Sequence, residues 1–244
     1  MLAALPPRTS AVDVCEGTLR RQILGGDLPA GTRLPPERDL AASLGASRVT
    51  VRSALARLAK TNLLSVRQGS GYVVRDFHRD GGPDLLPGVI ELARGRDVVG
   101  IAADLLLVRR KLAAAVLERL MEHATPRALA HVDAAIDDLA RLAERGASTE
   151  EVAEGDVEIV ARLLLATKSP VLQLCLNPIL TILRGMPALR DAMFASPFEN
   201  VAGWRALVSW ATAREIGAVS LAVQELERRD SATLARLARK GASR

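Results

Sequence analysis

Aromatic residues are nearly missing from this 244-residue chain: two Trp, one Tyr and three Phe, 2% in all. A pocket in such a protein is lined by Leu, Val, Ile and Ala, which suits an aliphatic ligand and suits a sugar poorly. Cysteine is scarce too. Cys15 and Cys175 are too few for a disulfide framework or a zinc finger, and both sit in apolar sequence, which predicts reduced core residues. Long apolar runs are lacking. The longest uncharged stretch, 169–183, has 15 residues interrupted by Pro170, Asn177 and Pro178. That is short of the about 20 a membrane span needs, and it reads as a buried core helix. Residues 1–10 show no basic region followed by an apolar one, so no secretory signal is expected and the reading is a soluble, cytoplasmic protein with no membrane partner. Catalytic signatures are absent as well: no Gly-rich phosphate loop, no nucleophile elbow, and no histidine spaced with an acid or nucleophile. The acidic groups Asp133/Asp137/Asp138 and Glu150/Glu151/Glu154 are explained as solvated helix faces. No enzyme is expected.

What is present is unevenly placed. With 49% hydrophobic and 25% charged residues the chain is globular, and its length fits two domains. The net charge is +5, yet residues 1–80 hold 12 basic and 7 acidic side chains while the rest holds 21 of each. Between Leu40 and Arg75 there are six basic residues and no acid. A surplus confined to one segment points to a polyanion-binding module joined to a neutral one.

The spacing predicts a helix from Val12, with Val14, Leu19, Ile23 and Leu24 on one face, ended by Gly25-Gly26. Residues 27–35, rich in Pro and Gly, read as extended or turning. A short helix over 37–44, a turn at Gly45-Ala46, and a third helix from the N-cap Ser47 to about Lys60 follow. Two β-rich stretches, 64–67 and 72–75, flank Gln68-Gly69-Ser70-Gly71 and read as a hairpin. The expected fold is mainly α: a winged helix-turn-helix over 1–76, a connector over 77–96, and an all-α bundle of six or seven helices over 97–244. In the long helix 97–122, Val98, Ile101, Leu105, Val108, Leu112 and Val116 recur at 3–4 spacing. Further helices are expected near 126–146, 150–168, 170–184, 199–217 and 218–240.

In the third helix Val51, Ala54, Leu55 and Leu58 form an inward stripe, leaving Arg48, Val49, Arg52 and Ser53 opposite. Arg48 and Arg52 lie one turn apart, so both guanidinium groups can enter one groove, where arginine pairs in bidentate fashion with guanine. Thr50 or Ser47 can reach a phosphate or base, Arg38 on the preceding helix a phosphate, and the small Gln68-Gly69 tip a minor groove. The expected partner is double-stranded DNA.

The stretches 23–41 (ILGGDLPAGTRLPPERDLA), 44–58 (LGASRVTVRSALARL) and 69–74 (GSGYVV) resemble the N-terminal domain of GntR-family bacterial transcription regulators. The resemblance implies operator contacts at Arg38, Ser47, Arg48, Thr50, Arg52, Gln68 and Gly69, the residues the helix geometry also selects. It further implies a homodimer that places two recognition helices on a palindromic operator. Effector binding is expected to shift the placement of the DNA-binding domains and so change operator affinity.

The helical second part is similar to the FadR-type branch, whose bundle binds a small effector and dimerises. Most members of that broader branch carry a metal site with an Asp followed four residues later by His. Here Asp156 is followed by Val160, and His78, His123 and His131 all precede the last hundred residues, so no metal is expected. The stretches 106–109, 169–170, 176–178 and 82–86 are similar to the metal-free, fatty acyl-CoA-responsive regulators. Arg109, on an apolar helix beside Val108 and Leu112, needs an anionic partner, either a protein acid or a ligand. Asn177 and Arg184 are the other candidate effector contacts. The last helix, 225–234, lacks the glycine and aromatic residues that help hold acyl-CoA in that group. The expected effector is of acyl type, a fatty acyl-CoA or fatty acid. The alternatives are a small carboxylate, or a DNA-binding protein with no effector.

Overall fold

Several helices start where the sequence supplies a side-chain cap. Ser10 Oγ accepts the Asp13 amide (3.2 Å) and the Asp13 carboxylate accepts the Ser10 amide (2.9 Å), opening α1 (Ala11–Leu24). The computed structural model describes residues 10–67, 71–93, 98–214 and 217–242, and the chain divides into two compact units, Met1–Arg96 and Asp97–Arg244.

In the first unit α1 buries Cys15, Leu19 and Ile23. Val14, expected on that face, is 55% exposed because Cys15 holds the inward position one turn before Leu19. Helices α2 (Glu37–Ser43) and α3 (Arg48–Lys60) are joined by a turn at Gly45, whose φ of +61° is open to glycine at little cost. Val51, Ala54, Leu55 and Leu58 are fully buried against α1 and α2. Strands β1 (Leu64–Arg67) and β2 (Gly71–Val74) pair antiparallel with Leu64 opposite Val74 and Arg67 opposite Gly71. The second strand thus begins one residue earlier than the sequence predicts. The Pro/Gly-rich segment joins its edge: the Gly31 and Leu34 amides each donate at 2.9 Å, to the carbonyls of Val74 and Tyr72. The segment expected as a connector is structured. It forms α4 (Phe77–Asp80), a 3-10 turn (Pro83–Leu85) and α5 (Leu86–Ala93), with Leu85 buried in the same core as Leu19 and Leu55. Gly88 lets α5 lie close on α1, since a Cβ there would come within 2.8 Å of Leu24 Cδ1.

Among the described residues the second unit has seven helices: α6 (Val98–His123), α7 (Pro126–Glu144), α8 (Thr149–Ala166), α9 (Pro170–Gly185), α10 (Pro187–Met193), α11 (Pro197–Ala213) and α12 (Ala218–Ala242). Proline occupies the first turn of α7, α9, α10 and α11, where its missing N–H is no loss. Val132, Ile136, Leu139 and Ile159 are completely buried where α7 packs on α8. Three sequence expectations are corrected here. In α6 the buried stripe is Ala102, Leu105, Leu106, Val116, Leu117 and Leu120, and Val108 is 48% exposed, because a 26-residue helix drifts around its axis relative to a fixed 3–4 pattern. Helix α9 is two-faced: Leu176, Ile179, Ile182 and Leu183 are buried, while Val171 and Leu174 are largely exposed. Cys175 lies on that exposed face and is not a core residue. Absence of charge could not reveal which face the neighbouring helices would cover. Among the described residues no single helix is long and apolar enough to cross a membrane.

Candidate functional site

The first candidate site is the outward face of α3. Ser47 Oγ accepts the Thr50 amide (3.1 Å) and lies 2.8 Å from Thr50 Oγ1, so both hydroxyls are engaged at the helix start. Because Val51, Ala54, Leu55 and Leu58 face inward, Arg48, Val49 and Arg52 must face out. Arg48 is exposed and has no ion pair among the described residues, and Val49 is 75% exposed. Arg52 is clamped by the Glu37 carboxylate of α2, with Nε at 3.2 and 3.0 Å from its two oxygens and Nη2 at 2.8 Å. That clamp raises the Arg52 pKa, mainly through the hydrogen bond to Glu37. It also fixes the guanidinium on a short tether between two helices. Arg38 is 74% exposed and bonds Asp39 through Nε (3.1 Å). Gln68 and Gly69 lie outside the described residues.

Not every cation of the acid-free window serves this face. Arg57 reaches back to Asp13 (2.8 Å) and Glu16 (3.3 Å) on α1, and Arg75 pairs with Asp80 (3.1 Å). Acids outside the window therefore neutralise part of the basic surplus for structural ends.

The second candidate site is a largely apolar cavity of about 120 Å³ inside the helical unit. Its walls are mainly Leu, Val and Ala from α6, α8, α9 and α11, among them Leu117, Val160 and Leu180. Polar groups gather at one side: Arg109 from α6, Asp156 from α8, Asn200 and Trp204 from α11, and Arg229, Asp230 and Thr233 from α12. Asn200, Asp230 and Thr233 are almost fully buried. Arg109 Nη2 donates to Asp230 Oδ1 (2.5 Å), and Arg110 Nη1 to Asp230 Oδ2 (3.1 Å). Trp204 Nε1 donates to Asp156 (2.6 Å), and Arg229 donates to Asn200 Oδ1.

Burial dominates the electrostatics. It pushes the Asp156 carboxyl above its usual range, against the opposing pull of the Trp204 hydrogen bond and the nearby Arg109 and Arg229. It raises Asp230 as well, against the attraction of Arg109 and Arg110. It lowers Arg229, an effect Asp156 opposes and Arg109 reinforces.

Of the predicted effector contacts, Arg109 lines this cavity and its anionic partner is a protein acid, Asp230. Asn177 does not reach it. It lies on the exposed face of α9, where its carbonyl accepts from Thr181 (3.0 Å), because Leu176, Leu180 and Leu183 supply that helix's inward side. Arg184 belongs to α9, but its side chain lies outside the described residues. The donor set does not suit a divalent cation: Asp156 faces an indole N–H and two guanidinium groups, Val160 is apolar, and no histidine lines the cavity. Arg229 and Asp230 were missed as site residues. The available signal was the stripe Ala222, Leu226, Asp230, Thr233 and Leu237 on α12, where charge interrupts an otherwise apolar face.

Residues 13–74 match the profile of bacterial regulatory proteins of the gntR family, and residues 104–229 match the FCD domain. The HTH-type transcriptional regulator Mce2R of Mycobacterium tuberculosis is 52% identical over 68 residues, 28% of each chain. The fatty acid metabolism regulator protein of Shewanella denitrificans is 29% identical over 157 residues, covering 64% of this chain and 62% of that one. The aligned regions thus span less than two thirds of either relative. Among solved structures, Lar, which controls expression of the Listeria monocytogenes agr system, superposes with a TM-score of 0.58 at 16% identity, over 96% of this chain and 99% of that one. This last likeness is one of fold.

Proposed function

Because the chain belongs to the gntR family of bacterial regulatory proteins and carries an FCD domain, we propose that it is a ligand-responsive transcription regulator that binds a palindromic operator as a homodimer. Residues 1–76 hold the DNA and the helical unit holds the effector and the dimer contact. On the DNA side, Arg48 and Arg52 read base edges and Arg38, Ser47 and Thr50 contact backbone. The exposed Val49 between the two arginines suits a thymine methyl. Gln68 and Gly69 enter the minor groove beside the recognition helix. A regulator of this kind acts in the bacterial cytoplasm as a repressor or activator, and has no catalytic role.

The observation that carries the ligand-responsive part is the cavity. A DNA-binding protein without an effector has no use for an apolar space bordered by buried guanidinium and carboxylate groups, each costly to bury without a partner. Its aliphatic lining and the names of the relatives that regulate fatty acid metabolism support an acyl-type effector, a fatty acid or fatty acyl-CoA. Such a ligand changes operator affinity by binding one conformation of the dimer better than another.

The test is fluorescence anisotropy on the operator recovered by in vitro selection, titrated with fatty acids, acyl-CoAs and small dicarboxylates. Acyl compounds should shift the operator Kd and the dicarboxylates should not. A response to dicarboxylates alone would overturn the acyl assignment.

A further inference from the structure

Arg33 has no place in either site described above. It lies, exposed, on the Pro/Gly-rich segment that joins the edge of β2 ahead of α2. The backbone pairing defines its position. Arg33 stands opposite Val73 in an antiparallel bridge, flanked by the Val74 amide donating to the Thr32 carbonyl and the Leu34 amide donating to the Tyr72 carbonyl, both at 2.9 Å. Side chains alternate between the two faces of a strand, and Leu34 is buried in the core of the first unit. Arg33 therefore points to the solvent side of the sheet.

Most cations described in this unit are paired: Arg20 with Glu16, Arg52 with Glu37, Arg57 with Asp13, and Arg75 and Arg79 with Asp80. Arg33 has no ion pair among the described residues. An exposed arginine is well hydrated and needs no partner for stability, so its surroundings decide its use. Two DNA-facing elements lie on the same side of it. Along β2, Val73 is two residues, about 7 Å, from Gly71, where the strand leaves the hairpin tip. Along its own chain, Pro35 and Pro36 lead into α2, whose first residues are Glu37, the clamp of Arg52, and the exposed Arg38. Because the pairing is antiparallel, the chain runs from Arg33 to α2 in the direction that leads along β2 to the tip.

A protein that lays α3 in the major groove and the adjoining hairpin tip in the minor groove straddles the sugar-phosphate strand that separates the two grooves. We propose that Arg33 is a further DNA contact, its guanidinium binding a backbone phosphate of that strand. This rests on the DNA-binding reading above and adds a contact from outside the acid-free window. A guanidinium matches the paired oxygens of a phosphodiester, and every nucleotide step presents that group. Arg33 thus adds affinity and fixes the protein on the duplex without reading sequence.

The experiment uses the full-length protein and two duplexes, the selected operator and one of random sequence, with anisotropy followed over a range of about 50–200 mM salt. Loss of one phosphate contact lowers the slope of log K against log salt by about 0.9. For Arg33→Gln a fourfold rise in salt should then cost about threefold less affinity than it costs the wild type, on both duplexes alike. At low salt the variant should bind both more weakly by the same factor. Arg33→Lys keeps the charge and should restore the wild-type slope, whereas a bidentate base contact would not tolerate the exchange. Arg79→Gln removes an 82% exposed cation from α4 and should leave the slope unchanged.

A wild-type slope in Arg33→Gln overturns the assignment. A loss confined to the operator also overturns it, making Arg33 a base contact, as does a slope in Arg33→Lys no different from that of Arg33→Gln. An equal fall for Arg79→Gln would trace the effect to net charge and overturn it too. Failure of the wild type to bind either duplex removes the DNA-binding reading with it.

Discussion

Replacing Asp230 with alanine probes the join between α6 and α12 at its most charged point. The carboxylate is 5% exposed and bridges Arg109 (2.5 Å) and Arg110 (3.1 Å), whose side chains are 19% and 15% exposed. Removing it strands two guanidinium groups in a mostly buried site, although Arg110 keeps Glu227 at 3.4 Å. Loss of one partner from a buried ion pair costs about 3–5 kcal/mol, because the remaining charge stays desolvated. In a unit of this length each kcal/mol corresponds to about 2–4 °C, so the expected fall in Tm is about 6–20 °C. Urea denaturation should show the midpoint shifting with little change in m-value. The double variant Arg109→Met/Asp230→Leu should lose less than the two single changes added together, since it removes both charges and fills their space. A loss below about 1 kcal/mol for Asp230→Ala, or strict additivity in the double variant, would show that the ion triad does not hold these helices together.

Three further outcomes follow. Glu37→Gln should release Arg52 from its two-point clamp, weakening operator binding while strengthening binding to random DNA, because an acid beside the phosphates is also removed; anisotropy on both DNAs should give opposite signs, and matching signs would refute the clamp. Arg52→Ala should weaken the operator complex by about tenfold or more with little change on random DNA; an equal loss on both would reduce Arg52 to a phosphate contact. Glu151, held at about 2 by Arg145 and by the side chain and amide of Ser148, binds a proton more readily in the unfolded chain, so its stabilising effect is present above pH 4.5 and is lost as pH falls towards about 2. Glu151→Gln should therefore lower Tm at pH 7, with the deficit shrinking below pH 4.5 and small by about pH 2, and a deficit independent of pH would assign the effect to something other than the carboxylate.

Much of the first unit was legible because its signals are local. Ser47 as a cap, the stripe from Val51 to Leu58 and the glycine turn at position 45 lie within fifteen residues, and each forms as the residue types demand. The outward face of α3 followed from the inward one. What escaped was the pairing: Glu37 and Arg52 meet only when α2 crosses α3, and Arg57 binds Asp13 across more than forty residues. In the second unit periodicity located the six longer helices, passed over the short α10 (Pro187–Met193), and misjudged some of the faces. Val108 and Cys175 were expected inside and are exposed, since a helix surrounded unevenly by others buries whichever side its neighbours cover.

The sequence by itself determined the winged helix-turn-helix pattern and the longer helices, the basic surplus of the first third and the aliphatic character of a pocket, all properties of residue type and short-range spacing. Only the tertiary structure decided where charge is shared. Arg109 and Asp230 stand 121 positions apart, and Arg229 and Asn200 meet through two different helices beside Gly203. A charge's partner depends on distance and desolvation, and both are set by how helices pack rather than by the order in which they are written.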